Sequence, residues 1–133
     1  MTYVVTFDLW DTIIHDDSDE AKRRKQGLRT KREERRYLLW EALNRQERIS
    51  QDTVWLACDT ADAAFNRVWR QQSVTWTVRD RLGVVLDELG RTLPENTFTR
   101  VIRDYEEMET KITPDIIEGA ADSVRDLAKD FRL

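Results

Sequence analysis

The chain opens with an apolar run that ends at a carboxylate. Residues Tyr3 to Phe7 are β-branched or aromatic and do not alternate between polar and apolar side chains. This pattern is typical of a strand that is covered on both faces, as in a parallel sheet. Asp8 follows directly, and the carboxyl ends of parallel strands line the crevice in which open α/β sheets bind ligands. The run therefore predicts one strand of a larger sheet, with Asp8 at its ligand-binding edge.

Four amphipathic segments follow, and the last three have a recognisable start. The first is predicted as a helix over residues 31–45, and Ser50 is a good N-cap for the second. Thr77, with Asp80 three residues later, forms a box-like cap for the third, and Pro94 suits the first turn of the fourth. Because the connections between them are short, the four helices are expected to pack as an antiparallel bundle.

Two glycines affect the third predicted helix. Gly90 is placed to end it. Gly83 lies within it and costs about 1 kcal/mol of helix propensity, so it predicts a point of close packing between helices.

The residues around Asp8 resemble a known catalytic motif. The first motif of the haloacid dehalogenase superfamily is an apolar strand, then Asp-x-(Asp or other)-x-Thr, then apolar residues, and this chain is similar at Phe7-Asp8-Leu9-Trp10-Asp11-Thr12-Ile13-Ile14. The resemblance implies that Asp8 is a nucleophile forming a covalent aspartyl intermediate and that Thr12 braces the turn. In phosphatases of this family, Asp8 and the main-chain carbonyl of Trp10 would also contact Mg²⁺.

Trp10 departs from the phosphatase pattern. Phosphatases of the family carry a second Asp at this position as the general acid for the leaving alcohol, whereas its dehalogenases have an aromatic residue there. Asp11 lies one position further on, where its side chain should be aimed differently. The sequence therefore leaves two hydrolase classes open, a phosphate monoesterase that uses Mg²⁺ and an L-2-haloacid dehalogenase that uses no cofactor.

The resemblance also predicts a domain organisation. Residues 1–16 would form the first core strand and nucleophile loop, residues 17–113 a helical cap, and residues 114–133 the return to the core. This last part includes a helix at about 118–129 and the start of a second core strand at 131–133. The chain itself would be mostly α, a helical bundle cap with one or two core strands, within an α/β parent fold. The family's later motifs, a Ser/Thr, a Lys and an acidic pair, would lie beyond Leu133, so residues 1–133 alone are expected to be inactive.

Composition narrows the choice of partners and compartment. The 22 basic and 26 acidic residues give a net charge of -4, which does not favour general nucleic-acid binding. No apolar run approaches the roughly 20 residues that span a bilayer, and Met1 leads into the apolar run rather than into a signal peptide, so the chain is expected to be cytoplasmic and not membrane-bound. The single cysteine, Cys58, excludes an intrachain disulfide and is predicted to be a buried small hydrophobe.

Two charged segments have alternative interpretations. The residues around Asp16 and Glu20, with the lone His15, are predicted to form a solvated acidic loop, with metal binding as the alternative. The basic segment Lys22 to Arg36 is predicted to be an exposed helix face and linker. The alternative is that its charge concentrates a small anionic substrate near the active site.

A second hypothesis belongs to another functional class. The chain could be a non-catalytic helical interaction module with a vestigial strand. An exposed strand edge and an uncovered apolar face on the last helix would then promote a homo-oligomer or binding to a missing carboxyl-terminal half.

Overall fold

Residues 3–131 are described by a computed structural model of the chain. They form six helices and no strand, so this part of the chain is mostly α, as predicted. The helices are α1 (Ser18–Lys25), α2 (Lys31–Gln46), α3 (Gln51–Gln72), α4 (Val78–Glu88), α5 (Glu95–Thr110) and α6 (Ala120–Asp130). None of the helices within these residues has both the length and the apolar character needed to cross a bilayer.

The described residues divide into two compact units. The bundle unit is Arg29–Lys111 and contains α2 to α5. The discontinuous unit contains residues 3–28, with α1, and residues 112–131, with α6. The contacts thus group α1 with the discontinuous unit, whereas the resemblance placed residues 17–113 together in the cap.

The bundle unit has a core of its own. Helix α2 packs against α3 and α5, and α4 also packs against α3 and α5, so the four helices contact one another in a ring. Leu39, Leu43 and Val54 are completely buried. Small or branched apolar side chains fill the space around them, including Ala57, Ala61, Leu82, Val85, Leu86 and Val101. Burial of this apolar surface is the main force that holds the four helices together.

The predicted caps at Ser50 and Thr77 in the bundle unit are confirmed. Ser50 accepts a hydrogen bond of 3.1 Å from the Thr53 amide. Thr77 and Asp80 form a full capping box, with backbone-to-side-chain bonds of 3.0 and 3.1 Å. Pro94 is the N-cap of α5 rather than part of its first turn. These local signals work because they satisfy amide groups that a helix start would otherwise leave unpaired.

Gly83 does not mark close helix packing. A Cβ built at this position would meet nothing within 4 Å. The prediction of a close approach is therefore wrong. Gly90, in contrast, lies just after α4 and has a φ of +60°, a left-handed conformation that glycine adopts without strain.

The predicted first strand does not form in the described residues. Tyr3, Val4 and Phe7 are exposed, whereas a central strand would be covered on both faces. Isolated bridges occur instead, between Trp10 and Ile14 and between Ile14 and Ile116. The physical reason is that a central strand needs a ladder of partners on both sides, and within residues 3–7 only Val4 takes part in a bridge.

The second core strand is predicted to start at residues 131–133. Phe131 has extended dihedral angles but is not part of a strand. The rest of that prediction falls on Arg132 and Leu133, which lie outside the described residues.

The predicted acidic loop is also corrected. Only its first part is a turn, because α1 begins at Ser18. Asp19 and Arg23, one helical turn apart, are almost completely buried. Charged side chains are rarely buried in this way, so sequence patterns alone do not predict it.

Helix α6, in the later segment of the discontinuous unit, has no buried residue although its apolar side chains lie along one face.

Candidate functional site

The stretch after Asp8 is a tight, internally bonded turn. The Leu9 carbonyl accepts hydrogen bonds from the amides of Ile13 (3.0 Å) and Ile14 (3.1 Å). The Asp11 amide donates to the Ile14 carbonyl at 2.8 Å. These bonds fix the backbone immediately downstream of Asp8. The side chain of Asp8 is exposed, and its Oδ1 accepts a 2.8 Å bond from the Leu9 amide.

Asp11 helps to stabilise the conformation of this turn. Its φ is +51°, in the left-handed region that Asp and Asn tolerate better than most residues. Its Oδ1 accepts a 3.0 Å hydrogen bond from the Asp16 amide. The carboxylate of Asp11 therefore faces the Asp16 amide.

Trp10 and Thr12, the other residues singled out by the resemblance, lie in the same turn. Trp10 is 50% exposed, and Thr12 is also exposed. The structure thus brings Asp8, Trp10 and Thr12 together on one short surface segment, and their chemical roles stay predictions.

The segment after the bundle lies beside this turn. The His15 amide donates to the Asp115 carbonyl (2.8 Å), and the Ile117 amide donates to the Ile13 carbonyl (2.9 Å). The hydroxyl of Ser18 accepts a 2.7 Å bond from the Asp115 amide. Residues 13–18 and 113–117 are therefore joined by backbone and side-chain hydrogen bonds within the discontinuous unit.

The residues near Asp8 do not by themselves form a magnesium site. Mg²⁺ requires a near-octahedral set of oxygen ligands, of which proteins usually supply one or two carboxylates. The resemblance offers the Asp8 carboxylate and the Trp10 carbonyl, and Asp11 is engaged with the Asp16 amide. Residues 3–131 contain no group of three or more His, Cys, Asp or Glu side chains placed to hold a metal ion. The donors described here therefore do not fit a complete Mg²⁺ site, and the same finding applies to the metal alternative for His15 and its acidic neighbours.

The basic segment is not simply an exposed helix face. Lys22 is ion-paired with Asp115 within the discontinuous unit. In the bundle unit, the Arg36 side chain is only 8% exposed and its Nη2 lies 2.5 Å from Asp59 and 3.4 Å from Asp62. Arg32 also pairs with Asp59, at 2.6 Å. The prediction of an exposed helix face is therefore wrong at Arg36, which is buried, whereas Arg32 is 66% exposed on α2 although it is ion-paired.

The ion pairs of Arg32 and Arg36 belong to a larger charged cluster of the bundle unit. Arg81 lies 2.5 Å from the second oxygen of Asp62, and Arg35 forms an ion pair with Glu109. The hydrogen bond from Arg36 is the main reason why the pKa of Asp59 lies below its ordinary value. The cluster joins all four helices of the bundle.

Sequence reasoning missed this cluster because its members are far apart in the chain. The signal in the sequence that could have revealed the cluster was the spacing of its charged residues. Arg32 and Arg36 are four residues apart on α2, and Asp59 and Asp62 are three apart on α3, so each pair lies on one helix face.

A cavity adjoins the cluster. It has a volume of about 50 Å³ and is lined by Arg32, Arg35, Arg36, Arg81, Asp62 and Tyr105 together with small apolar side chains. Cys58 also lines it, and burial raises the pKa of this thiol to about 11. The thiol is therefore protonated at neutral pH. Its burial confirms the prediction that Cys58 is a buried small hydrophobe.

Three comparisons with known proteins complete the description of these sites. No protein-family model, no curated protein and no solved structure matches this chain.

Proposed function

We propose that this chain is the amino-terminal portion of a haloacid dehalogenase-like hydrolase, with Asp8 as its nucleophile and phosphate monoesters as its substrates. The single observation that carries the proposal is the stretch from Phe7 to Ile14, in which an exposed carboxylate is followed by a turn with a fixed backbone. The order of the elements supports it as well. Residues 13–18 and 113–117 are hydrogen-bonded to each other, and the helical bundle lies between them in sequence.

The proposed chemistry begins with the Asp8 carboxylate. One carboxylate oxygen forms a bond to phosphorus while the bond from phosphorus to the alcohol oxygen breaks, and the alcohol takes a proton from the medium. Water then cleaves the aspartyl phosphate, which releases phosphate and restores Asp8. A magnesium ion, where further ligands complete its site, would stabilise charge on the phosphoryl oxygens. The described residues supply too few ligands, so residues 1–133 are proposed to have negligible turnover alone.

The test begins with the protein from its natural source. Its intact mass is compared with the 15.8 kDa of this chain, and its phosphatase activity is assayed in wild-type, Asp8→Asn and Asp11→Asn forms. The proposal expects a larger mass, and activity that is lost in Asp8→Asn. Asp11→Asn is the matched control, because it removes a neighbouring carboxylate that serves the turn. A mass of 15.8 kDa, or activity that survives Asp8→Asn, contradicts the proposal.

A dehalogenase is the alternative favoured by Trp10. An aromatic side chain at this position cannot usefully protonate a leaving alcohol, and a halide leaving group needs no proton. Halide release from an L-2-haloacid, measured beside phosphate release from a monoester, separates the two reactions. Release of halide without release of phosphate would assign the protein to the dehalogenase class.

A non-catalytic interaction module is favoured by a different observation. Large apolar side chains stay exposed throughout the discontinuous unit, namely Tyr3, Val4, Phe7, Leu9, Trp10, Ile116 and Phe131. Exposed apolar residues concentrated in this way are typical of surfaces that bind another chain. Sedimentation velocity at several concentrations would reveal a homo-oligomer. Mixing with a carboxyl-terminal half, if the natural protein has one, would restore activity to an enzyme portion but not to a module.

A further inference from the structure

Four of the ten residues that line the cavity in the bundle unit are arginines. Arg32, Arg35 and Arg36 reach it from α2, and Arg81 reaches it from α4. The Tyr105 ring of α5 forms part of its apolar wall, and the Arg35 guanidinium lies 5.4 Å from the centre of that ring. Guanidinium groups gathered around a space are the arrangement with which proteins recognise oxyanions.

Positive charge exceeds negative charge in this cluster. Its ion pairs join four guanidinium groups to three carboxylates, those of Asp59, Asp62 and Glu109. Asp59 is shared by Arg32 and Arg36, and Asp62 is shared by Arg36 and Arg81. The cluster can therefore accept a further negative charge.

The arginines also retain hydrogen-bonding capacity. Arg32, Arg36 and Arg81 contact their carboxylates through Nη2. A guanidinium group carries five N–H donors, so each of these side chains can donate additional bonds. Because Arg36 is only 8% exposed, an anion beside it would be less screened by water than one at the surface.

We propose that this cavity binds a small oxyanion, either inorganic phosphate or the phosphate or carboxylate group of a small metabolite. The volume of about 50 Å³ is in keeping with a group of a few atoms. Phosphate is expected to bind more tightly than a carboxylate. The arginines approach from two helices, and a tetrahedral anion has oxygens that point in several directions. The proposal goes beyond the function proposed above, since it concerns residues 29–111 and holds whether or not Asp8 is a nucleophile.

The competing explanation is that the cluster only holds the four helices together. In that case the bundle unit needs its ion pairs but has no saturable affinity for an added anion. Added salts would then act on stability through screening of the ion pairs and general exclusion from the protein surface, with no saturation at a site.

The test is a calorimetric titration of the full chain with potassium phosphate and, separately, potassium acetate, at constant ionic strength. Arg32→Gln is the informative variant. The Arg32 side chain is 66% exposed, and Arg36 still pairs with Asp59 when it is removed, so the bundle should fold. Arg103→Gln is the matched control. It removes the same charge from a 62% exposed arginine on α5 that pairs with Asp104. Thermal unfolding of both variants establishes first that they are folded.

The proposal expects saturable binding of phosphate, with acetate weaker. Loss of one charged donor should weaken phosphate binding about tenfold in Arg32→Gln, and Arg103→Gln should bind like the wild type. Saturable binding of acetate alone, lost in Arg32→Gln, would retain the oxyanion site and assign it to carboxylates. No saturation with either anion in the millimolar range, or equal weakening in the two variants, overturns the proposal.

Discussion

The Lys22 ammonium group lies 2.6 Å from Asp115 Oδ1, so an ion pair joins α1 to the segment that follows the bundle. The same nitrogen donates a 2.7 Å hydrogen bond to the carbonyl of Thr113, which is 91 residues further along the chain. One side chain thus makes two contacts with residues 113–115. These contacts help to hold the later segment of the discontinuous unit beside the earlier one.

We predict that Lys22→Met loosens this connection. The side chains of Lys22 and Asp115 are both partly exposed, so the expected loss in the free energy of unfolding is about 1 kcal/mol. Amide hydrogen exchange should become faster at Asp115 and Ile117, whose amides donate to Ser18 and Ile13. Lys129→Met is the control, because Lys129 pairs with Asp126 on its own helix at a highly exposed position. Equal effects of the two substitutions would show that Lys22 has no special role.

A leucine in the bundle core should matter far more than one on its surface. Leu39 is completely buried, whereas Leu56 on α3 is 69% exposed. We expect Leu39→Ala to lower the free energy of unfolding by about 3 kcal/mol, because it removes buried methyl groups and leaves a cavity. Leu56→Ala, the same chemical change, should alter it by less than about 0.5 kcal/mol. Urea unfolding followed by circular dichroism measures both, and similar losses would contradict the described core.

The two glycines of the α4 region should respond to alanine with opposite signs. At Gly83 there is open space around the added methyl group and the backbone is helical, so Gly83→Ala should stabilise the protein by about 1 kcal/mol. At Gly90 the φ of +60° disfavours a side chain, so Gly90→Ala should destabilise it by a similar amount, about 1 kcal/mol. Thermal unfolding of the two variants is the measurement. A loss of stability in Gly83→Ala would restore the expectation of close packing there.

Cys58 should make stability depend on pH in the alkaline range. Burial raises the pKa of its thiol from 9.0 to about 11, so the native state keeps this proton at pH values where the unfolded chain releases it. The thiol's contribution to stability is therefore complete below pH 9 and declines as the pH rises from 9 towards 11. Comparison with Cys58→Ala isolates this contribution from that of tyrosines and lysines. A stability difference between the two proteins that stays constant over this range would contradict the assignment.

Cysteine alkylation supplies an independent check. Native Cys58 should react slowly with iodoacetamide at pH 8, since the thiolate is the reactive form and the thiol is buried. Urea should accelerate the reaction. Rapid alkylation of the native chain would show that the thiol is accessible.

The parts of the fold that could be predicted are those governed by neighbouring residues. Ser50 and the pair Thr77 and Asp80 satisfy amides within one turn of helix, so their effect can be read directly from the sequence. The capping box of Thr30 and Glu33 at the start of α2 follows the same rule, within a stretch of the sequence that is dominated by basic residues.

The parts that could not be predicted depend on contacts between distant residues. An apolar run such as Tyr3 to Phe7 is typical of a buried strand, but whether it becomes one is decided by partner strands that its own pattern does not contain. The burial of Asp19 is likewise set by the packing of α1, because its sequence favours exposure. The Asp8 turn lies within one short segment and could be located, whereas the arginine cavity combines residues from four helices and could not.

The hydrogen bonds between residues 13–18 and 113–117 also bear on how the length of the chain between them affects stability. The bond from the Asp115 amide to Ser18 spans 97 positions in sequence. In the unfolded chain, where the intervening residues are flexible, each doubling of their number adds only about 0.6 kcal/mol to the entropic cost of bringing the two segments together. Insertions at the loops of residues 29–111 should therefore have little effect on the pairing of these two segments. A change in the number of residues between the two segments alters the loop-closure entropy only slightly. The hydrogen bonds of the discontinuous unit can therefore be kept when the loops between the intervening helices change in length.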